Sequence, residues 1–526
     1  MPYNRLHQFT KTILIIAIFL VSFLHLTRGF NDPDFFWHLK TGEWICQNKA
    51  LQTNDPFAFT TPQTYDSRKH FILTSGWLSQ ITLFFFYYVS KIPGIIVLRF
   101  IIIGLLAYIM IKRKHGDGLL YLGLFIIFLT QLLEAYNTLD RPQTFSFLFF
   151  AALLYFLEKI KDDGSSREKT AYFSISILML FWANMHGGHV LGRVIIVLYI
   201  LMEGVKFMHP ALAPIKREAY RRLLIAGTAG LLASLINPNT YHAMPENFSL
   251  SAFMMSSNRE YLSIPETFRI FHDYSIFLYW FILSLTVISI LINPKKTDIT
   301  QFAILAGTGY FSFTTMRYIP FFMMTAVPLI GRSFSLLKEN LLGWSRAFIC
   351  CMAIFVSLFF TWDERFNVFN LSSGNWFNNH DITPETAVDF ILDNNLKGNM
   401  YNHYNYGGYL IWRLAPERKV FIDGRNMYEH IFVQSMIINN ALEKEISGMP
   451  YWKFNLDIYG IKFIIVPVRE PGGEVLTLIN ALINDKDWAP VFSQSNSMIF
   501  VKISQENKDV IRKHEIPRDY LMTKLL

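Results

Sequence analysis

The chain has 526 residues, of which 52% are hydrophobic, 16% aromatic and only 17% charged. A soluble domain of this size carries more charge, and several apolar runs reach the length that spans a bilayer. The formal net charge of +8 comes without a basic, aromatic-interleaved patch, so it reads as positive inner loops and not as nucleic-acid binding.

The N-terminal apolar run has no small-residue cleavage site before Asn31, so it reads as a retained helix and not as a signal peptide. Further spans are expected at 94–111, 118–136, 143–158, 171–185, 189–206, 222–236, 274–292, 300–316, 318–334 and 345–362, after a first one at 12–28. The run 77–90 is short and ends in Tyr87 and Tyr88. If it crosses, Lys112-Arg113-Lys114 falls outside and every later loop inverts. If it lies in the interface, that cluster is inside. So are Lys159, Lys161, Arg167 and Lys169; Lys206, Lys216, Arg217, Arg221 and Arg222; Lys295 and Lys296; and Arg332, Lys338 and Arg346. The second arrangement satisfies the positive-inside rule at every short loop. It gives about eleven spans, an inside N-terminus and an outside tail, with 77–90 an amphipathic surface helix. The inner charges then read as solvated loops.

The first outer loop, 29–93, begins with Asn31-Asp32-Pro33-Asp34-Phe35-Phe36-Trp37-His38. Two carboxylates therefore stand where the first span leaves the bilayer. Asp34 and His38 are spaced i,i+4 and share a helical side. Such a pair can act as a base or hold a cation. It can equally be a helix cap above an interfacial aromatic belt. The other outer polar residues sit at helix ends. Arg141 precedes Pro142, which suits the first position of a helix. A cation there opposes the helix dipole unless an anion such as phosphate lies beside it. The alternative is snorkelling, or a pair with Asp140. Arg317 sits in a short turn, where it can also face the end of the preceding helix. His186 and His189 flank Gly187-Gly188, as metal or phosphate ligands or as plain turn residues. The long loop 238–273 carries Arg259, Glu260, Arg269 and His272.

From about residue 363 the composition changes. Asn399–Tyr401, Lys419–Ile422, Lys462–Pro467, Ala489–Ser493 and Met498–Ile503 read as strands, and 384–396, 428–446 and 475–486 as helices. The expected domain is α/β, a mainly parallel sheet followed by a terminal hairpin. Asp423-Gly424-Arg425 follows a strand, where such sheets bind ligands, and Tyr404–Tyr409 is a second polar, aromatic turn. Both can equally be tight turns closing the sheet. The division falls at 1–362 and 363–526. Cys46, Cys350 and Cys351 give neither a disulfide framework nor a metal spacing.

This pattern resembles the GT-C superfamily of integral-membrane glycosyltransferases. Asp34-Phe35-Phe36-Trp37-His38-Leu39-Lys40 is similar to the Asp-x-aromatic-aromatic-His-x-Arg run of oligosaccharyltransferases, with Lys40 in place of the arginine. The match extends, in a group of bacterial GT-C-like proteins, to Asp32–Gly42, Asp55–Thr60, Trp77-Leu78, Arg141–Gln143, Asn184–Gly188, Arg317 with Pro320, Gly407–Trp412 and Asp423–Arg425. It covers nearly the whole chain, but without the Trp-Trp-Asp signature of the oligosaccharyltransferase tail it does not support protein N-glycosylation. The resemblance implies a polytopic α-helical fold with a C-terminal α/β domain outside. It also implies a polyprenyl-phosphate-linked sugar donor and an acceptor (glycan, lipid or protein) on the extracytoplasmic face of the inner membrane. The physical reading then assigns Asp34 and Asp32, with His38, to catalysis. Arg141, Arg317, His186 and Arg269 take the donor phosphate, and Phe35, Trp37 and Trp44 the prenyl chain or sugar. Asp32 and Asp34 could alternatively hold Mg²⁺ or Mn²⁺ with waters. Two rivals remain. A flippase for lipid-linked sugars would need polar groups near mid-membrane, and these spans are largely apolar. A non-enzymatic membrane subunit presenting the tail would leave Asp32 and Asp34 dispensable.

Overall fold

The computed structural model describes residues 2–114, 116–135, 140–162, 168–209, 212, 214–246, 259–294, 298–372, 381–425, 427–470 and 472–525. Arg167, Lys295 and Lys296 of the expected inner charges, Tyr136 at the end of one expected span and most of the middle of the 238–273 loop lie outside them. The chain forms two compact units, one of residues 1–29 with 85–376 and one of residues 30–84 with 377–526. The first loop therefore clusters with the tail, where the sequence suggested a division at 362.

The first unit is helical. A helix lies over each expected span, including Pro2–Leu26, Gly118–Ala135, Gln143–Asp162, Glu168–Met185, His189–Lys206, Arg217–Ala233, Ile276–Ile292, Ile299–Thr314 and Ile319–Phe334. Among the described residues, four helices are long and apolar enough to cross a membrane, within His7–Leu26, Ser67–Lys112, Gln143–Lys161 and Leu341–Phe359. Shorter apolar helices cover Gly118–Leu133, Phe173–Met185 and Ile276–Ile292. The helix Trp77–Lys112 breaks at Ser90 and Lys91, just before Pro93, so the run 77–90 and the span that follows are separate rods. Polar caps set several starts. Asp298 accepts from Thr300 N and Gln301 N, and Ser263 with Glu266 forms a capping box behind Pro265. The core is large and apolar, with Trp182, Tyr121, Tyr199 and Tyr279 buried in it.

The expected inner charges are not simply solvated. Lys161 Nζ meets Asp298 Oδ2 at 2.6 Å and Glu203 Oε1 at 3.1 Å, and Lys206 Nζ meets the same two atoms at 2.6 and 2.8 Å. Glu203 and Lys206 are fully buried. Burial alone would raise the Asp298 carboxyl, but the two lysines hold it down at about 2. A buried carboxylate persists only when cations and hydrogen bonds replace its water, so helix ends far apart in sequence are clamped here.

In the second unit the four-stranded sheet has the spatial order Asn399–Asn402, Ile461–Pro467, Ser497–Lys502, Trp488–Gln494. The first pair is parallel and the other two antiparallel, so the expected mainly parallel sheet is corrected, while its terminal hairpin is present. The reason lies in the run Lys419–Ile422, which is not a sheet strand. Val420 exchanges main-chain hydrogen bonds with Phe57 and Phe59 of the first loop. The Asn402 side chain takes Phe421 N–H at 2.8 Å and donates to Ile422 O at 2.8 Å. Backbone groups that would pair in a sheet are thus satisfied elsewhere. The helix expected over 428–446 ends at Asn439. Glu445–Ile446 then pairs with Met449–Pro450 across Ser447-Gly448, both at positive φ, a two-residue hairpin turn.

Candidate functional site

In the second unit, Pro33 precedes the helix Asp34–Asn48, and Asp32 Oδ1 accepts Asp34 N–H at 3.0 Å. Asp32 is buried and closes an Asx-type turn, while Pro33 holds the N-cap position with no side-chain cap bond. Asp34 is half-buried. Its carboxylate lies directly on Gly424, where a β-carbon would overlap Asp34 Oδ1. A β-carbon at Gly408 would overlap the carbonyl of Pro33. Glycine is required at both positions because another backbone or carboxylate occupies the side-chain space. The Asp-Gly-Arg turn and the first residues of the helix Gly407–Leu414, where the sequence suggested a turn, are therefore the seat on which the acidic turn rests.

That seat is locked from beneath. Arg425 Nε and Nη2 donate to Asp423 at 2.7 and 2.6 Å, and Nη1 donates to Asp55 Oδ1 at 2.8 Å. Asp55 also accepts from Phe57 N–H at 2.9 Å and Thr61 Oγ1 at 2.8 Å. Burial works against the Arg425 charge, but Asp423 and Asp55 more than offset it and keep the guanidinium above its ordinary range. Asp55-Pro56-Phe57 and Asp423-Gly424-Arg425, both singled out from sequence, are two halves of one buried clamp. Above it Phe36 stacks on Trp412 and meets Tyr409 edge-on. His38 Nδ1 faces Gln80 Nε2 at 3.1 Å, a contact the sequence did not suggest. Trp37 Nε1 is buried with no acceptor among the described residues.

Asp32 and Asp34 suit a cation only as a partial shell, since no group of three His, Cys, Asp or Glu ligands occurs among the described residues. Mg²⁺ is commonly held by one or two carboxylates, with water and substrate oxygens completing the octahedron. If bound, it would lie on these two residues and supply Lewis-acid stabilisation of negative charge.

In the first unit, three of the four expected phosphate partners share one cluster at helix ends. Arg317 Nη1 donates to Tyr261 Oη at 2.7 Å and Nη2 to Gln143 Oε1 at 3.2 Å, with its guanidinium over the Tyr261 ring. Arg141 Nη1 donates to Glu260 Oε1 at 2.9 Å. Asp140, which might have taken Arg141, is held instead by Arg99 in a two-pronged pair at 2.7 and 2.6 Å. Arg99 Nη1 also donates to the carbonyls of Leu26 and Arg28 at 3.0 and 2.7 Å, fixing the chain where the first helix ends. Sequence reading passed over Arg99, although a lone arginine inside the apolar run 94–111 is itself a signal.

His186 joins the cluster from the next turn. Trp182 Nε1 donates to Ser146 Oγ at 2.8 Å, which leaves the Ser146 hydroxyl to donate to His186 Nδ1 at 2.8 Å. Gly188 N–H points at the same Nδ1 at 3.0 Å. An Nδ1 that accepts twice carries no proton, so the neutral ring bears its hydrogen on Nε2 and is a donor there. Burial, then the nearby Arg317 charge, then His189 hold its pKa down at about 3. Arg269 stands apart, on the exposed side of the short helix Ile264–Phe271 near Glu266.

The chain, a mostly helical unit with helices long and apolar enough to cross a membrane and a unit in which the first loop clusters with a mixed-sheet tail, has a fold already seen in solved structures. Two solved structures carry that likeness. An oligosaccharyltransferase from Archaeoglobus fulgidus in the apo form matches at TM-score 0.54 and 11% identity, over 94% of this chain and 74% of that one. AglB from Archaeoglobus fulgidus, in complex with an inhibitory peptide and a dolichol-phosphate, matches at TM-score 0.51 and 11% identity over 95% and 74%. ArnT from Cupriavidus metallidurans bound to undecaprenyl phosphate aligns at TM-score 0.47 and 11% identity over 94% and 98%. No protein-family model and no curated protein matches the chain.

Proposed function

We propose that this protein is a GT-C-type glycosyltransferase that moves a sugar from a polyprenyl-phosphate donor to an acceptor on the extracytoplasmic face of the membrane. One observation carries the reading: Arg141, Arg317 and the Nε2–H donor of His186 gather in one cluster at helix ends. Two guanidinium forks and a neutral N–H donor suit a phosphate, which is held best by charge-assisted, two-pronged hydrogen bonds. Asp34, on its glycine seat, takes the proton of the acceptor hydroxyl as its oxygen bonds the anomeric carbon and the C–O bond to the polyprenyl phosphate breaks, the lipid phosphate leaving as its anion. Asp32 orients Asp34 through its backbone. Trp37 and the aromatic stack of Phe36 with Trp412 offer surfaces for a sugar or prenyl chain. The reading keeps about eleven spans, an inside N-terminus and an outside tail in the inner membrane. It is tested with purified protein and a panel of polyprenyl-phosphate sugars, by scoring sugar transfer or release from the lipid. Turnover of at least one donor is expected. No turnover of any donor, by protein that binds none, defeats the reading.

A further inference from the structure

Within the second unit, the helix Asp34–Asn48 carries Asp34, His38 and Gly42 at successive i,i+4 positions, on one side. Two of the three lie directly on other segments. Asp34 rests on Gly424, and a β-carbon at Gly42 would come within 2.1 Å of the Gln80 carbonyl oxygen. Gly42 therefore lets the helix that begins at Trp77 approach until the backbones touch. From that crossing the Gln80 side chain reaches one turn back along Asp34–Asn48, and its Nε2 stands 3.1 Å from His38 Nδ1.

Both side chains are buried, Gln80 at 2% exposure and His38 at 7%. The Trp37 ring lies over the imidazole, with centroids 3.5 Å apart. The imidazole is thus held on its face by the indole and at one edge by the amide. An amide N–H₂ can only donate, so the ring nitrogen it meets is bare. A neutral imidazole with a bare Nδ1 carries its hydrogen on Nε2. A protonated ring would set two donors against each other at Nδ1. Gln80 Oε1 is buried with no partner among the described residues. Turning the amide over would put two N–H bonds in that buried position, and a buried N–H without an acceptor is the rarer orphan.

We infer that Gln80 is a positioning residue that fixes His38 as a neutral Nε2–H donor. The Nδ1 lone pair is taken by Gln80 and Nε2 already carries hydrogen, so the ring has no open position for a proton. Within the proposed transfer His38 then serves as a hydrogen-bond donor, one helical turn from Asp34, and proton abstraction falls to Asp34. The role in transfer rests on the glycosyltransferase reading; the tautomer does not.

The test reads the tautomer directly. The full chain, labelled with ¹⁵N-histidine and purified in nanodiscs, is examined by NMR at about pH 7.5, above the ordinary histidine range. The His38 signal is assigned by its loss in His38→Gln, or by its contact with the Trp37 indole if that variant does not fold. Wild type should show a bare Nδ1 and a protonated Nε2. Gln80→Glu sets an acceptor of the same shape where the donor stood, and should move hydrogen onto Nδ1. Gln80→Leu, which decides the matter if Gln80→Glu does not fold, should bring Nδ1 partway to the protonated value as the tautomers mix. A merely structural role for Gln80 would change Tm or folded yield without moving hydrogen between the ring nitrogens. Protonated Nδ1 in wild type, or an Nδ1 as bare in the folded variant as in wild type, overturns the proposal.

In transfer assays Gln80→Glu should lower kcat roughly tenfold, the scale of one hydrogen bond lost in the transition state, with KM for the donor within about twofold of wild type. Transfer at the wild-type rate by Gln80→Glu protein whose hydrogen has moved to Nδ1 would remove the donor role. The expected tautomers without transfer from any donor would leave the hold of Gln80 on His38 standing and count against the enzyme reading instead.

Discussion

Arg425 and Arg317 look alike in sequence, each an arginine in a short turn, and the structure uses them differently. Arg425 is buried between two carboxylates that hold every arm of its guanidinium. Arg317 is placed by neutral groups, the Tyr261 hydroxyl and the Gln143 amide, and lies on an aromatic ring. An arginine closed by carboxylates is a structural rivet, because its charge is already spent. An arginine oriented by a hydroxyl and an amide presents a planar fork of the geometry that binds anions in two prongs. The comparison sets a residue that shapes the seat against one proposed to meet the substrate, and it can be broken in four ways.

The largest expected effect is on stability. Arg425→Met leaves Asp423 and Asp55 buried together without a cation, at a cost of about 3–5 kcal/mol. A thermal melt of the purified protein should show it as a large loss of Tm or of folded yield. A melt unchanged from wild type would remove the clamp from the account.

Next comes donor affinity. Arg317→Ala should leave the melt nearly unchanged yet weaken binding of polyprenyl phosphate by roughly 10–100-fold, the range for a hydrogen bond to a charged group. Arg141→Ala should do less, since Arg141 already faces Glu260, and Arg141→Lys should fall between it and wild type because lysine keeps charge but loses the fork. Equal affinities for wild type and all three variants would take the cluster out of the donor site.

The third effect is a pH signature at His186. Its folded pKa, about 3, lies below the value of about 6.5 of an unfolded chain. The unfolded state therefore binds the extra proton first, and the stability gained from keeping the ring neutral is complete above about pH 6.5 and fades as pH falls toward 3. Wild type should lose Tm relative to His186→Gln between pH 7.5 and pH 5. Donor affinity should show no histidine inflection in that window. An inflection near pH 6.5 that vanishes in His186→Gln would contradict the neutral donor.

The smallest perturbation tests topology. A Lys114→Cys variant, in a chain with its three native cysteines replaced, should resist an impermeant thiol reagent in intact cells. Labelling would invert the arrangement.

Much of this was legible in the sequence, for physical reasons. Long apolar runs and the charges beside them declare helices at sight, and a helix lies over each expected span. The motif residues Asp32, Asp34, Asp55, Gly408, Gly424, Arg141, Arg317 and His186 were visible because charged, glycine and histidine residues stand out at the ends of such runs. Their partners were not. Nothing local in the sequence joins Asp55 to Arg425, or Val420 to Phe57. Without those pairings Lys419–Ile422 looks like one more sheet strand, and the sheet looks more parallel than it is. Arg99 was lost among its apolar neighbours, so Asp140 seemed available to Arg141. The inner lysines read as solvated because the buried Glu203 that receives them lies within an apolar helix.

The most direct measurement of the central claim sets binding against chemistry. Wild type, Asp34→Asn and Arg317→Ala, each purified and folded, are assayed with one polyprenyl-phosphate sugar for both donor affinity and transfer. The account predicts that Asp34→Asn binds donor within about twofold of wild type and transfers nothing, because it lacks the base but keeps the phosphate cluster. It predicts that Arg317→Ala binds weakly and regains transfer when donor is raised. Full transfer by Asp34→Asn, or loss of donor binding in Asp34→Asn with none in Arg317→Ala, would contradict it.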